Sequence, residues 1–461
     1  MSDSLRLIPL LGWLATTAML TGPGGAPCAA NLRHTTDALS RSTPDVAGAA
    51  AGTTIAFAAV GWVDLYDIAT DTWSVHDLGQ HREHVSAASV GNLILVAGGY
   101  LGGGVHSDQV DIYNVDTKQW RTATLSTGRS RMATATVGTK VFFAGGWDGW
   151  GSNSRVVDVY DAATDRWSGL MLRTTSGGSA AAALGSRVFI TDSDYVGDID
   201  IYDVETETWD TASLSTTRTH PACVAIGDKV LFAGGYKWPG GPRAGSDVVD
   251  MYDATTDTWS TASLTVGRWN MAATVLGPFA LFGGGAVDRG QAPTLCSRRL
   301  DVYDSRTGQW AVGPPLDVAR CGLGAASAGG YALFAGGDRE YGSSSYDVVD
   351  VYSPLVQGDV DGDFRVNIYD AFLLDAAWGT VPGDPAFNPD ADLNNDGAVN
   401  SQDAFLLNRD WGQDWQSPSG ASPPTSAVPE PSLASLVSCG AAALLLRRKR
   451  SPSGARAVGA R

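Results

Sequence analysis

Basic charge, cysteine and long apolar runs are all scarce in this chain. Only 32 Lys and Arg stand against 49 Asp and Glu in 461 residues, a formal net charge of -17. A surface of that sign repels phosphates instead of releasing their counterions, which excludes nucleic acid as a partner. Of five cysteines, Cys28 and Cys439 lie in the terminal segments, leaving Cys223, Cys296 and Cys321. An odd number cannot make a complete disulfide framework. With six histidines in all, the grouping of His81, His84 and His106 as metal ligands competes with chance proximity. Residues 433–446 form a 14-residue apolar run, short of the roughly 20 that a membrane helix needs. Glycine and tryptophan are abundant by contrast, at 56 and 15, and a 44% hydrophobic content suffices for a packed core and rules out wholesale disorder.

The two ends read as transport signals. Arg6 precedes an apolar run over residues 7–20 and a Gly/Pro stretch ending at Cys28-Ala29-Ala30, which fits a secretory signal peptide over 1–30. At the other end, Pro429-Glu430-Pro431 leads into the apolar run and then into Arg447-Arg448-Lys449-Arg450. This tripartite order resembles the PEP-CTERM sorting signal of bacteria, spanning 429–461 after a linker at 416–428. The resemblance implies exosortase-type sorting machinery as a partner and a transient anchoring of the C-terminal helix in the membrane, with the basic cluster on the cytoplasmic side. The expected location is the cell surface or extracellular matrix.

Between residues 31 and 353 the sequence repeats at 42 to 51 residues, a period of solenoids and propellers. Each unit places two short strands, a glycine pair such as Gly98-Gly99 or Gly145-Gly146, a Val-Asp-Val-Tyr strand, a tight turn and a Trp in fixed order. The Trp positions are 73, 120, 167, 209, 259 and 310. Paired glycines let backbones approach closely, the alternation in Val157-Asp158-Val159-Tyr160 predicts a strand with Val buried and its polar neighbours exposed, and a Trp at constant offset fills the wedge between adjacent sheets. The order resembles Kelch repeats, which implies a mainly β fold, a Kelch-type β-propeller of four-stranded blades. Seven Tyr-bearing strands but six Trp strands are present, and His34 to Leu39 overlays Trp120 to Leu125. Seven blades are therefore predicted, the N-terminal strand closing the last one.

Residues 354–415 have a different grammar, with 12 Asp against 2 basic side chains. Two Asp-rich loops are each followed by Ala-Phe-Leu-Leu. The first offers Asp359, Asp361, Asp363, Asn367 and Asp370 with the Arg365 carbonyl, and the second Asp392, Asn394, Asp396, Asn400 and Asp403 with the Ala398 carbonyl. Oxygens at loop positions 1, 3, 5, 7, 9 and 12 match a calcium loop, so two Ca2+ sites are predicted. Asp at position 12 and a single helix after each loop resemble a type I dockerin, which implies a small α-helical calcium module and a cohesin-like surface protein as partner. Phe364 replaces the usual loop Gly, and Ile368-Tyr369 differ from Ser401-Gln402 at positions that read the cohesin in that family.

The loops after the second and fourth strands of a blade open on one face. Trp62, Tyr100, Trp147 and Tyr236 follow the paired-glycine position and read as structural fillers, whereas Trp150, Trp238 and Trp269 lie off the repeat. Exposed aromatics stack on sugar rings, so Trp150, Trp238 and Trp269, with Trp147 and Tyr236, define a candidate face for an extracellular glycan or protein. Cys296 and Cys321 fall on loops of this face, which leaves a disulfide between them open. Arg82, Arg129, Arg218, Arg268 and Arg320 recur at one loop position, favouring a structural role over catalysis. No catalytic residues are assigned. The alternative to a binding module is a polysaccharide-degrading or sugar-oxidising enzyme built on the propeller.

Overall fold

The computed structural model describes residues 32–149, 153–173, 180–191, 197–237, 244–287, 295–339, 344–354, 368–388, 391–393 and 397–409. Seven four-stranded antiparallel sheets arise from the repeats and form a seven-bladed propeller, with short two-stranded ribbons in three of the loops. Blade 2 is typical, running from its inner to its outer edge through Ser86–Val90, Leu93–Ala97, Gln109–Asn114 and Gln119–Thr124. Blade 1 begins at Ala47–Ala51, blade 3 at Ala133–Val137, blade 4 at Ala180–Leu184, blade 5 at Ala222–Ile226, blade 6 at Ala272–Leu276 and blade 7 at Gly324–Ala328. Small residues dominate these inner strands because seven of them converge on one axis.

The outer half of each blade repeats one register. Tyr66 faces Trp73, Tyr113 faces Trp120, Tyr160 faces Trp167, Tyr202 faces Trp209, Tyr252 faces Trp259 and Tyr303 faces Trp310. The rings meet at 4.8 to 5.4 Å between centroids, a separation at which aromatic pairs attract. Each Trp fills the wedge toward the preceding blade. Trp73, for example, packs with Leu333 and Val349 of blade 7, and its indole donates to Asp37 at 2.6 Å.

Blade 7 takes its outer strand from the start of the described chain. Leu32–Ala38 pairs with Val348–Pro354 so that His34 faces Tyr352, the position that Trp holds in the other six. The imidazole stacks on Tyr352 at 4.7 Å and bonds Asp350 at 2.6 Å. Leu39 then repeats the contact of Leu125, its N–H donating to Asp347 as Leu125 donates to Asp108. The strand that opens the described chain thereby completes the last blade, covering the edge of Val348–Pro354.

One expectation is corrected. The Asp of each Val-Asp-Val-Tyr strand was expected to face solvent, yet Asp64, Asp111, Asp158, Asp200, Asp250, Asp301 and Asp350 are all at most 5% exposed. The blades cover each other on both faces, so alternation along a strand here separates two interfaces rather than core from water.

A second, smaller core belongs to the helical module. Helices α1 (Ile368–Ala376) and α2 (Ser401–Arg409) bury Leu374 and Leu407 with Ala377, Ala391 and Val399. Leu374 and Leu407 occupy the same position in the two sequence repeats. Among the described residues, no helix is long and apolar enough to cross a membrane; the run at 433–446 lies outside them.

Candidate functional site

The loop face is held by the five repeated arginines. Each is fully buried and ion-pairs with the strand aspartate of the blade it enters: Arg82 with Asp111, Arg129 with Asp158, Arg218 with Asp250, Arg268 with Asp301 and Arg320 with Asp350. The guanidinium also caps carbonyls left where the second strand ends. Arg82 donates to Gly98 at 2.9 Å and Gln109 at 3.0 Å, and Arg129 to Gly145 at 2.5 Å and Val156 at 2.7 Å. Burial pushes the pKa of all five below the ordinary arginine value, and the partner carboxylate opposes that shift. In blade 1 Thr43 stands at this position, and the Trp62 indole donates to Asp64 at 3.1 Å in place of the guanidinium. Trp62 thus opens a strand and serves the frame.

The glycine pair completes the joint. Gly98 and Gly99 have φ of 66° and 116°, and a Cβ on Gly98 would collide with the Arg129 carbonyl. The residue after the pair then bridges the residue after the arginine: Glu83 with Tyr100, Ser130 with Trp147, Thr219 with Tyr236, Trp269 with Ala286 and Cys321 with Asp338. Backbone bridges therefore fix the start of these five loops.

Among the candidate ligand residues, Trp147 is 52% exposed and lies under the Arg131 guanidinium at 6.0 Å. Its backbone bridges Ser130 and Asn153 in the frame, while its indole lies exposed against Arg131. Tyr236 and Trp269 are half-buried and meet edge to face at 5.3 Å, joining blades 5 and 6. Trp150 and Trp238 lie outside the described residues. Cys296 and Cys321 form a disulfide with Cα atoms 5.5 Å apart, tying the blade 6 loop to the connector into blade 7. Cys223 is a free thiol whose pKa burial pushes well above the usual range.

A crevice of about 470 Å³ opens between the loops of blades 2 and 3, lined by Val105, His106, Thr127 and Asp148 with neighbouring glycines. His106 Nδ1 and Asp148 Oδ1 are buried there without a hydrogen-bond partner among the described residues. Burial pushes the His106 pKa down against the pull of Asp148. His81, His84 and His106 do not converge: no group of three His, Cys, Asp or Glu suited to a metal occurs among the described residues.

In the helical module the first Asp-rich loop, from Asp359 through Asn367, lies outside the described residues, as do Asn394 and Asp396. Asp370, Asp392 and Asp403 are described and buried. The second loop folds back on its own carboxylates, Gly397 N–H donating to Asp392 at 2.9 Å and Asn400 N–H to Asp403 at 2.7 Å. Gly397, at loop position 6, has φ of 84°, the turn a calcium loop requires there. Buried oxygen donors gathered by such a turn fit a hard cation. On the outside of the helices, Phe372 and Phe405 are 63% and 67% exposed at equivalent repeat positions, beside Tyr369.

The fold and these loops define a class first: a seven-bladed β-propeller with an attached pair of loop-helix units. Comparison with known families agrees in both parts. Residues 81–124, 128–171 and 217–263 match the Kelch motif, and residues 357–410 match the dockerin type I domain. A solved structure described as "Structure of YjhT" is similar with a TM-score of 0.46 and 15% identity, over 68% of this chain and 95% of that chain. No curated protein matches the chain. Kelch-like and dockerin-like parts in one chain support a binding or tethering role.

Proposed function

We propose that this is an exported bacterial surface or matrix protein in which the propeller binds an extracellular glycan or protein and the C-terminal module tethers it. The observation that carries the reading is the pairing of a rigidly framed loop face, bearing the exposed Trp147, with a module matching the dockerin type I domain. Dockerin type I domains bind calcium and dock onto cohesins. In this chain Asp370, Asp392, Asn400, Asp403 and the Ala398 carbonyl, together with Asp359, Asp361, Asp363, Asn367, the Arg365 carbonyl, Asn394 and Asp396, would hold two Ca2+ ions. The repeat-equivalent Phe372 and Phe405 and the neighbouring Tyr369 supply an exposed apolar surface for a cohesin-like partner. The domain plan is a signal peptide at 1–30, propeller at 31–353, calcium module at 354–415, linker at 416–428 and a sorting segment at 429–461 that passes transiently through the membrane.

A glycan array probed with the full chain tests the propeller half. Binding to extracellular polysaccharide fragments, weakened when Trp147 becomes Ala, supports the reading. Turnover of a sugar polymer in place of stable binding would replace it with the carbohydrate-active enzyme.

A further inference from the structure

Among the described residues, the connectors into six blades hold a left-handed residue two positions after the site of the repeated arginine (Thr43 in blade 1), just before the innermost strand. These are Asp45, His84, Arg131, His220, Asn270 and Gly322, with φ between 46° and 66°. In blade 4 the position is Gly178, outside the described residues. The backbone has a structural reason to turn this way. It lets Arg131 N–H donate to the His84 carbonyl at 3.0 Å and Gly322 N–H to the Asn270 carbonyl at 3.1 Å, so neighbouring blades are laced together around the axis.

That reason does not explain the side chains. Glycine adopts this conformation without cost and other residues do not, yet five of the six described positions carry Asp, His, Arg, His and Asn. In the turns before the outer strands non-glycine residues also have positive φ; there Asp71, Asp165 and Asp257 repeat one structural contact, accepting from Tyr66, Tyr160 and Tyr252, while Lys118 and Glu207 hold the same position in other blades. At the inner position the residue type changes from blade to blade, and the side chains contact one another. His84 bonds Asp45 at 3.0 Å and Arg131 at 3.0 Å, and a Cβ on Gly322 would sit 3.1 Å from Asp45 Oδ1 and 3.3 Å from Asn270 Nδ2. Asp, Asn and His enter the left-handed region more readily than other non-glycine residues, so Arg131 is the member of the ring that backbone preference explains least.

The ring stands at the mouth of the central channel. Met132, Pro221 and Met271 directly follow Arg131, His220 and Asn270, and line a cavity of about 250 Å³ with Ala133, Ala181 and Ala222. No charged side chain lines that cavity, so charge recognition at this end falls to the ring. Its charge is distinctive in an acidic protein. Arg131 is exposed, and among the described residues no carboxylate lies within ion-pair distance of it. His220 meets channel solvent but is ringed by protein. Desolvation and then Arg131 push its pKa down to about 4, so it is neutral at pH 7; the full charges of the ring are Arg131 and, across His84, the Asp45 carboxylate. A planar guanidinium matches a carboxylate with two parallel bonds, and the exposed Trp147 indole beside it offers a face for a sugar ring.

We infer that the channel-mouth ring of Asp45, His84, Arg131, His220 and Asn270 is a binding site for a sugar acid, its carboxylate on Arg131 and its ring on Trp147. The inference rests on the reading of this face as a binding surface and names its ligand class. Calorimetric titration of the full chain with a galacturonate trisaccharide and with the matching neutral galactose trisaccharide tests it. The acid is expected to bind at least tenfold tighter than the neutral sugar. Arg131→Gly should lose that tenfold with a melting temperature no lower than the parent, because glycine relieves the left-handed backbone; Arg131→Lys, which keeps charge without the fork, should fall between. Equal affinity for the two sugars, or full affinity in the glycine variant, would overturn the site while leaving the face a binding surface. Failure to bind either sugar also overturns it, and only if the glycan array is empty as well does the broader reading fall with it.

Discussion

At the scale of single residues, the fold depends on five arginines buried against aspartates. A buried ion pair is weak evidence of net stability, because desolvating both charges offsets most of their attraction, but removing one partner strands the other. Arg129→Met is therefore expected to cost about 3–5 kcal/mol in urea denaturation, and Arg129→Met with Asp158→Leu much less. Equal losses in the single and double variants would contradict the pairing. The arginines were legible in the sequence as a recurring loop position. Their partners were not, because Val-Asp-Val-Tyr alternation looks the same whether the second face meets water or a neighbouring blade. The channel-mouth ring escaped notice for a related reason: its residues share a backbone conformation and no residue type.

Histidine gives the residue scale its pH dependence. Burial pushes the pKa of His76, His106 and His220 below that of a free imidazole, which is about 6.5 in the unfolded chain. The unfolded state then binds more protons below pH 6.5, so stability is fully present above that pH and is lost as pH falls toward the folded values, about 4 for His220. Denaturation midpoints at pH 7.5 and 4.5 should differ in that direction, and His220→Asn should narrow the gap. A gap unchanged by the substitution would mean His220 does not contribute.

Among the elements, the strand Leu32–Ala38 has the largest consequence for the molecule. It was legible as the missing seventh copy of the Trp strand, even though His34 replaces the Trp, since the Leu at the end of the segment keeps the spacing. Its deletion would expose the edge of Val348–Pro354 and open the ring between blades 7 and 1. A sharply lower melting temperature and aggregation are expected, and an unchanged melting curve would contradict closure. The disulfide acts on the same region. It closes a 25-residue separation, for which reduction should cost about 3 kcal/mol; identical denaturation curves with and without reductant would show that the bond adds nothing. The sequence left the Cys296–Cys321 pair open by placing both on loops of one face, and blade geometry brings those two loops together.

For the whole molecule, two separate hydrophobic cores predict two cooperative transitions. The propeller clusters contain no residue of the helical module, whose own cluster centres on Leu374, Ala391, Val399 and Leu407. Duplicated Asp-rich loops made that module legible in the sequence, whereas which helix face stays open, with Phe372 and Phe405 outward and Leu374 and Leu407 inward, followed only from packing. Ligands that bind the folded state alone stabilise it by about 2.7 kcal/mol at a hundredfold excess over Kd. The central claim, a calcium-dependent tether joined to a calcium-independent binding propeller, is tested most directly by scanning calorimetry of the full chain in calcium and in EGTA. The account predicts two transitions, the smaller shifted upward by calcium and the larger unmoved. Calcium that moves neither transition, or both together, would contradict it.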